Sequence, residues 1–227
     1  MWLINVHTLE LEYFMGQNTP PYAILSHTWE DEEVTYQDMR QLTPDTGTRN
    51  KQGFAKIRET CRLAASDGLR YAWVDTCCID KSSSAELTEA INSMYRWYED
   101  AAVCYAYLSD FDDSADETAL AASRWFTRGW TLQELIAPEN VTFWSRNWVK
   151  LGDKWDLNDC LHTITNIPAR LLRGTSIVSD YSIACRMSWA ARRETTRVED
   201  TAYCLLGLFN INMSLLYGEG SNAFYRL

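Results

Sequence analysis

At 227 residues, with 46% hydrophobic and 13% aromatic side chains, the chain can bury one α/β domain with a smaller appendage and is too apolar for disorder. Its formal net charge of -10, with no basic stripe, removes nucleic acid as the main partner, because phosphate binding depends on clustered Lys and Arg. The opening residues lack a charged leader and a cleavage site, and no run of about 18 apolar residues could span a bilayer. Seven scattered cysteines without a C-x-x-C pair read as reduced thiols, so the expected setting is the cytoplasm.

The first strand is expected at residues 22–25, after Pro20-Pro21 and before the polar Ser26-His27. Residues 54–67 keep helical spacing through Phe54, Ile57, Cys61, Ala64 and Ala65, and Gly68 supplies a stop. A second apolar run of strand length, residues 71–74, ends at Asp75. Ser83 and Glu86 form a capping-box pattern for a helix striped by Leu87, Ile91, Met94, Tyr95 and Tyr98. A third strand, residues 103–108, is closed by Ser109-Asp110, and the acidic stretch 112–118 reads as a flexible surface loop. Residues 123–135 read as helical pieces broken at Gly129, and residues 141–144 as a fourth strand. Strands that are apolar throughout and alternate with helices indicate a parallel sheet covered on both faces.

Beyond about residue 150 the strand signal fades, and residues 154–165, 183–192 and 198–209 look helical. The expected organisation is therefore an α/β core over residues 1–150 with a helical extension over 151–227. The apolar pattern still runs at Ala223-Phe224-Tyr225-Arg226-Leu227, which leads us to expect part of a longer protein.

In open parallel sheets, ligands bind beyond the carboxyl ends of the strands. Those ends carry Ser26, His27, Thr28, Trp29 and Glu30, then residues 75–81 with Asp75 and Lys81, then Ser109 and Asp110. The mixture of hydroxyls, acids, aromatic surface and a Lys suits a nucleotide-like ligand. Each residue also has a structural reading: His27 bonding a carbonyl, Asp80 capping a turn, Lys81 as a surface charge, Trp29 and Trp130 as core. Cys77 and Cys78 are adjacent, which fits neither a disulfide nor a zinc pattern, so buried thiols and no metal are expected. A lone Glu is usually solvated, but Glu134 stands among Trp130, Leu132, Leu135 and Ile136, beside Arg124 and Arg128. Arg128 could pair with it and lower its pKa.

Four blocks then carry a family resemblance: Tyr22-Ala-Ile-Leu-Ser-His-Thr-Trp29, Tyr71-Ala-Trp-Val-Asp-Thr-Cys-Cys-Ile-Asp-Lys81, Ser123-Arg-Trp-Phe-Thr-Arg-Gly-Trp-Thr-Leu-Gln-Glu-Leu-Ile-Ala-Pro138, and Thr196-Arg-Val-Glu-Asp-Thr-Ala-Tyr-Cys-Leu-Leu-Gly207 leading to Leu216-Tyr-Gly-Glu-Gly220. With these blocks the chain resembles a fungal heterokaryon-incompatibility (HET) domain, apart from Glu30 where the family commonly has Gly. The resemblance implies a trigger of programmed cell death in non-self recognition. It also implies downstream nucleotide-binding oligomerisation and repeat-sensor domains in the full-length protein.

HET domains are in turn remotely similar to Toll/interleukin-1 receptor (TIR) domains, whose enzymatic members carry Trp-Cys-Leu-x-Glu-Leu. Here Trp130-Thr131-Leu132-Gln133-Glu134-Leu135 matches except at Thr131. That similarity implies a TIR-like, flavodoxin-like sheet and Glu134 as the catalytic acid of an NAD-cleaving enzyme, with NAD as substrate and self-association completing the site. Ser26, His27 and Asp75 would then meet ribose hydroxyls, Lys81 or Arg128 the pyrophosphate, and Trp29 or Trp130 a ring. One carboxylate would suffice, since nicotinamide leaves as a neutral base and needs no general acid, while the acid stabilises the oxocarbenium charge. Two alternatives stand beside this: a non-enzymatic signalling scaffold that triggers death through partners, and a thiol hydrolase pairing Cys77 or Cys78 with His27.

Overall fold

In a computed structural model, residues 1–43, 47–113 and 117–227 are described, without the side chains of Gln17 and Glu117. Residues 114–116, inside the acidic stretch expected to be a surface loop, lie outside the described residues. The four expected strands form the centre of a sheet: β3 (Tyr22–His27), β4 (Tyr71–Trp73), β5 (Val103–Tyr107) and β6 (Val141–Trp144). All their pairings are parallel, β4 with β3, β3 with β5 and β5 with β6. β3 lies in the middle with all six residues buried, which is why its sequence is an apolar run rather than an alternation.

Three further strands, β1 (Trp2–Asn5), β2 (Leu11–Tyr13) and β7 (Lys150–Asp153), extend the sheet to the order β2-β1-β4-β3-β5-β6-β7. β1 pairs antiparallel with β4 and β2, and β7 antiparallel with β6, so the expected parallel sheet is mixed. Strands this short, at or next to the sheet's edges, draw their order from a neighbour's ladder rather than from their own pattern, so periodicity does not announce them. The division expected at residue 150 passes through β7.

Helices α1 (Tyr36–Arg40), α2 (Gln52–Ser66), α3 (Ser84–Glu99), α4 (Glu117–Ala121) and α5 (Thr131–Ile136) belong to this part of the chain. The Ser83 side chain caps α3 by accepting from Glu86 N, but the Glu86 carboxylate accepts from Asp80 N at 2.9 Å and leaves the expected box half made. The chain between β5 and β6 does break at Gly129, with a 3-10 turn, Arg124–Thr127, before it and α5 after it. A Cβ at Gly129 would fall 2.5 Å from Thr195 Cγ2 and 3.1 Å from Cys204 Sγ, so only glycine lets the C-terminal part close there.

That part contains α6 (Asn158–Thr165), α7 (Ala169–Leu172), α8 (Ile183–Ala190), α9 (Asp200–Tyr203), α10 (Leu206–Phe209) and α11 (Asn222–Arg226). The single helix expected over 198–209 is two short ones. The interruption lets Cys204, Leu205 and Leu208 join the main core while Ala202, Tyr203 and Leu206 join a second cluster with Ile91 and Ala223. At Gly207 a Cβ would lie 2.0 Å from Tyr95 Cβ on α3. Both atoms belong to packed helices, so Gly207→Ala is expected to destabilise the fold by about 2 kcal/mol, seen as a lower urea midpoint at unchanged m-value. Among the described residues, no helix is long and apolar enough to cross a membrane.

Candidate functional site

Successive side chains of a strand point to opposite faces of the sheet, so Ser26 and His27, at the carboxyl end of β3, serve two different neighbourhoods. On the Ser26 side stands α5, whose Glu134 is only 7% exposed. Ser26 Oγ donates to Glu134 Oε2 at 2.5 Å and accepts from Trp125 Nε1 at 2.8 Å. Since indole only donates, the direction of this chain is settled: Trp125 to Ser26 to Glu134. Tyr98 donates its hydroxyl to Leu25 O at 3.0 Å and also interacts with the Glu134 carboxyl.

Burial pushes Glu134 up to about 8 against the hydrogen bond from Ser26, and the negative charge of Asp75 pushes the same way. At neutral pH the acid is therefore mostly protonated. The expected partner, Arg128, instead donates to Thr196 Oγ1 at 3.2 Å. The cation acting on Glu134 is Arg193, which also donates to Arg128 O and Thr131 Oγ1, both at 2.8 Å. The expected lowering of the Glu134 pKa is thus reversed, because burial outweighs Arg193.

On the His27 side, Asp75 accepts from His27 Nε2 at 3.0 Å and from Trp29 Nε1 at 2.7 Å. Lys56 Nζ lies 3.2 Å from His27 Nδ1 and donates to Thr28 O and to the Glu33 carboxylate. A charged Lys only donates, so Nδ1 accepts and Nε2 carries the proton given to Asp75. Burial raises the Asp75 carboxyl, but the His27 bond, the Lys81 charge and the Trp29 bond together hold it down at about 2. Lys81 Nζ sits 3.8 Å from the centre of the half-exposed Trp29 ring. His27 does not bond a backbone carbonyl: both its nitrogens are engaged by side chains.

Two carboxyls near one strand end, one held near 2 and the other near 8, are what an acid–base site requires. Ser26, His27, Trp29, Asp75, Lys81 and Glu134 are brought to this end of the sheet. Arg128 and Trp130 are not; Trp130 instead bonds Asp200 and packs on the second core cluster. The thiol pair fails as a nucleophile site: Cys77 and Cys78 are buried against the Val74 backbone, burial holds the Cys77 thiol well above its ordinary range, and His27 is occupied elsewhere.

Sequence reasoning missed Lys56, Glu33, Trp125, Tyr98 and Arg193. The available signal was the pair Lys56 and Thr60, four residues apart and polar on the buried face of α2. Lys56→Met would leave Glu33 without its cation and His27 Nδ1 without its donor. The expected destabilisation is about 2 kcal/mol, checked by urea unfolding at pH 7.

A cavity of about 1090 Å³ opens at the amino end of β6, lined among others by Ile136, Pro138 and Asn140, and a second of about 360 Å³ lies by Thr8, Leu11 and Met39. Glu134 lines neither.

A family model described as heterokaryon incompatibility protein (HET) matches residues 22–121, a span that holds Ser26, His27, Trp29, Asp75 and Lys81. The chain is 50% identical over 211 residues to the vegetative incompatibility protein HET-E-1 of Podospora anserina, covering 88% of this chain and 15% of that protein. The chain thus spans less than a sixth of the length of that relative. No solved structure matches it.

Proposed function

This chain carries a heterokaryon-incompatibility domain, and from that premise we propose that it is the cytoplasmic cell-death effector of a fungal non-self recognition protein, acting by cleaving NAD between nicotinamide and ribose with Glu134. The observation that carries this reading is the gathering of Glu134, held by Ser26, with His27, Asp75, Trp29 and Lys81 at the carboxyl end of β3. Buried carboxyls are costly to keep, and those whose ionisation is driven apart by their surroundings concentrate at sites of chemistry.

In the closed fold, a neutral Glu134 supplies no negative charge to an oxocarbenium ion. Activity in this reading requires an opening that hydrates the carboxyl, returns it toward its ordinary range and admits the ribose. Self-association in a TIR-like arrangement is the proposed cause of that opening. Latency then follows from burial itself, which suits a domain whose activity is lethal. Ser26 holds the acid in position, and the Trp29 ring with Lys81 offers a face and a charge at the same strand end for the substrate's ring and pyrophosphate.

A second reading is favoured by one specific observation: Glu134 lines neither the large cavity nor the small one. Under it, the domain kills as a non-enzymatic scaffold, and the acid serves only to end the hydrogen-bond chain from Trp125 through Ser26. Incubating the purified domain with NAD, dispersed and then clustered on a multivalent support, separates the two. Nicotinamide release confined to the clustered sample supports cleavage; none in either, with cell killing intact, supports the scaffold.

A further inference from the structure

The large cavity lies at the end of the sheet opposite Glu134, between α3, the turn from α5 into β6, and the C-terminal helices. Its lining includes two cations without a salt-bridge partner among the described residues, Lys154 and Arg186. Lys154, 7% exposed, donates to Leu135 O at 3.4 Å and to Pro138 O. Two carbonyls leave the third N–H of the ammonium unused. Arg186 gives one amino group to Leu208 O at 2.8 Å and lies over the Phe209 ring at 4.8 Å, while its buried Nε has no partner.

Among the described residues, neither cation forms an ion pair with a carboxylate. The acids of the cavity stand apart from them: Glu99 and Glu139 are exposed on its rim, Glu139 acting on Lys154 only through its charge, and Asp153 Oδ1 accepts from Trp155 N and Asp156 N. Desolvated cations without an anion are unfavourable, and a guanidinium N–H with no acceptor adds to that penalty. At the mouth, Trp155 is 61% exposed, and Arg173, paired with Asp159 at 3.2 Å, lies over its ring at 5.8 Å.

We propose that this cavity binds a small phosphorylated ligand of at least two negative charges, its phosphates held by Lys154 and Arg186. A volume of about 1090 Å³ accommodates a nucleoside diphosphate as readily as free pyrophosphate, and Trp155 is placed to stack a base if one is present. Phosphate oxygens would supply anionic acceptors for the Lys154 ammonium and the Arg186 guanidinium. The site is independent of NAD cleavage: it lies at the other end of the strands and stands whether or not Glu134 is catalytic.

The test is calorimetric titration of the domain with ADP and, separately, with sodium pyrophosphate at 0.15 M salt. Saturable binding of at least one is expected, weakened roughly 10- to 100-fold by Arg186→Gln, the range for a lost charge-assisted hydrogen bond. Trp155→Ala, on an exposed side chain, decides the source: loss of ADP binding alone identifies a nucleotide, and equal binding of both probes before and after identifies the bare phosphate ligand. If Arg186→Gln does not fold, protection of Lys154 from acetylation by the bound probe, read by mass spectrometry on the unaltered domain, reports occupancy of the same site. No saturable binding of either probe at millimolar concentration, or binding that neither weakens in Arg186→Gln nor protects Lys154, overturns the proposal.

Discussion

Glu134→Gln is expected to lower nicotinamide release by the clustered domain by roughly 10²–10³-fold while leaving the fold intact, the scale for losing one prepositioned electrostatic group. The substitution is well suited to the question because the acid in the closed structure is neutral. A Gln side chain reproduces that uncharged state, and its carbonyl accepts from Ser26 Oγ as Glu134 Oε2 does. What it lacks is the ability to ionise once the site opens. Dispersed samples should show unchanged circular dichroism and the same behaviour on gel filtration, with only turnover removed. If clustered Glu134→Gln released nicotinamide at the rate of the unaltered domain, the carboxyl would have no catalytic part, and the enzymatic reading would fail with it.

The second large effect is on stability, and its sign follows from where each acid titrates. Glu134 has an ordinary value of 4.5 and sits at about 8 in the fold. Below about pH 4.5 it is protonated in folded and unfolded chains alike, so its burial carries no ionisation penalty. Between 4.5 and 8 the unfolded chain releases the proton and the folded one retains it, so stability falls; above 8 the loss is complete. Asp75, held at about 2, acts in the opposite sense, contributing stability above its ordinary 3.8 and losing it as pH falls toward 2. The domain should therefore lose on the order of 3 kcal/mol between pH 5 and 8 through Glu134, taking a shift of this size with allowance for relaxation around a buried group. In Glu134→Gln that slope should vanish, making the variant the more stable protein at pH 8 and close to the parent at pH 5. Urea midpoints collected across this range measure it directly. Parallel curves for the two proteins would mean that the carboxyl is hydrated in solution and never held neutral.

The dependence on pH also bears on latency. An effector whose acid is neutral in the resting fold has its reactive form withheld by the same packing that stabilises it. Assembly that opens the α5 side of the sheet would release both constraints together. The clustered domain should accordingly reach full activity well below pH 8, the region where the carboxyl titrates in the closed fold.

How much of this was legible in the chain varies with the range of the interaction involved. The four central strands were readable because burial on both faces makes each an unbroken apolar run, and α2 and α3 because their stripes and the Ser83 cap are local patterns. The gathering of Ser26, His27, Asp75 and Lys81 followed from the same logic, since an apolar run in a parallel sheet stops where the strand meets the loops. Glu134 could be singled out by its apolar neighbours on a short helix. None of this required a partner distant in sequence.

Only the folded chain decided the rest. That Ser26 and His27 part company across the sheet depends on which helix covers each face, and the Glu33–Lys56–His27–Asp75 chain joins three separate segments. Arg193 displaces Arg128 as the cation near Glu134 because the C-terminal part closes over Gly129 some 65 positions away in sequence. The charge of Glu134 was beyond reach for a further reason. Sequence pattern reports whether a position tends to be buried, whereas protonation depends on the local dielectric and on every nearby charge, quantities that exist only after residues far apart in the chain have been packed together.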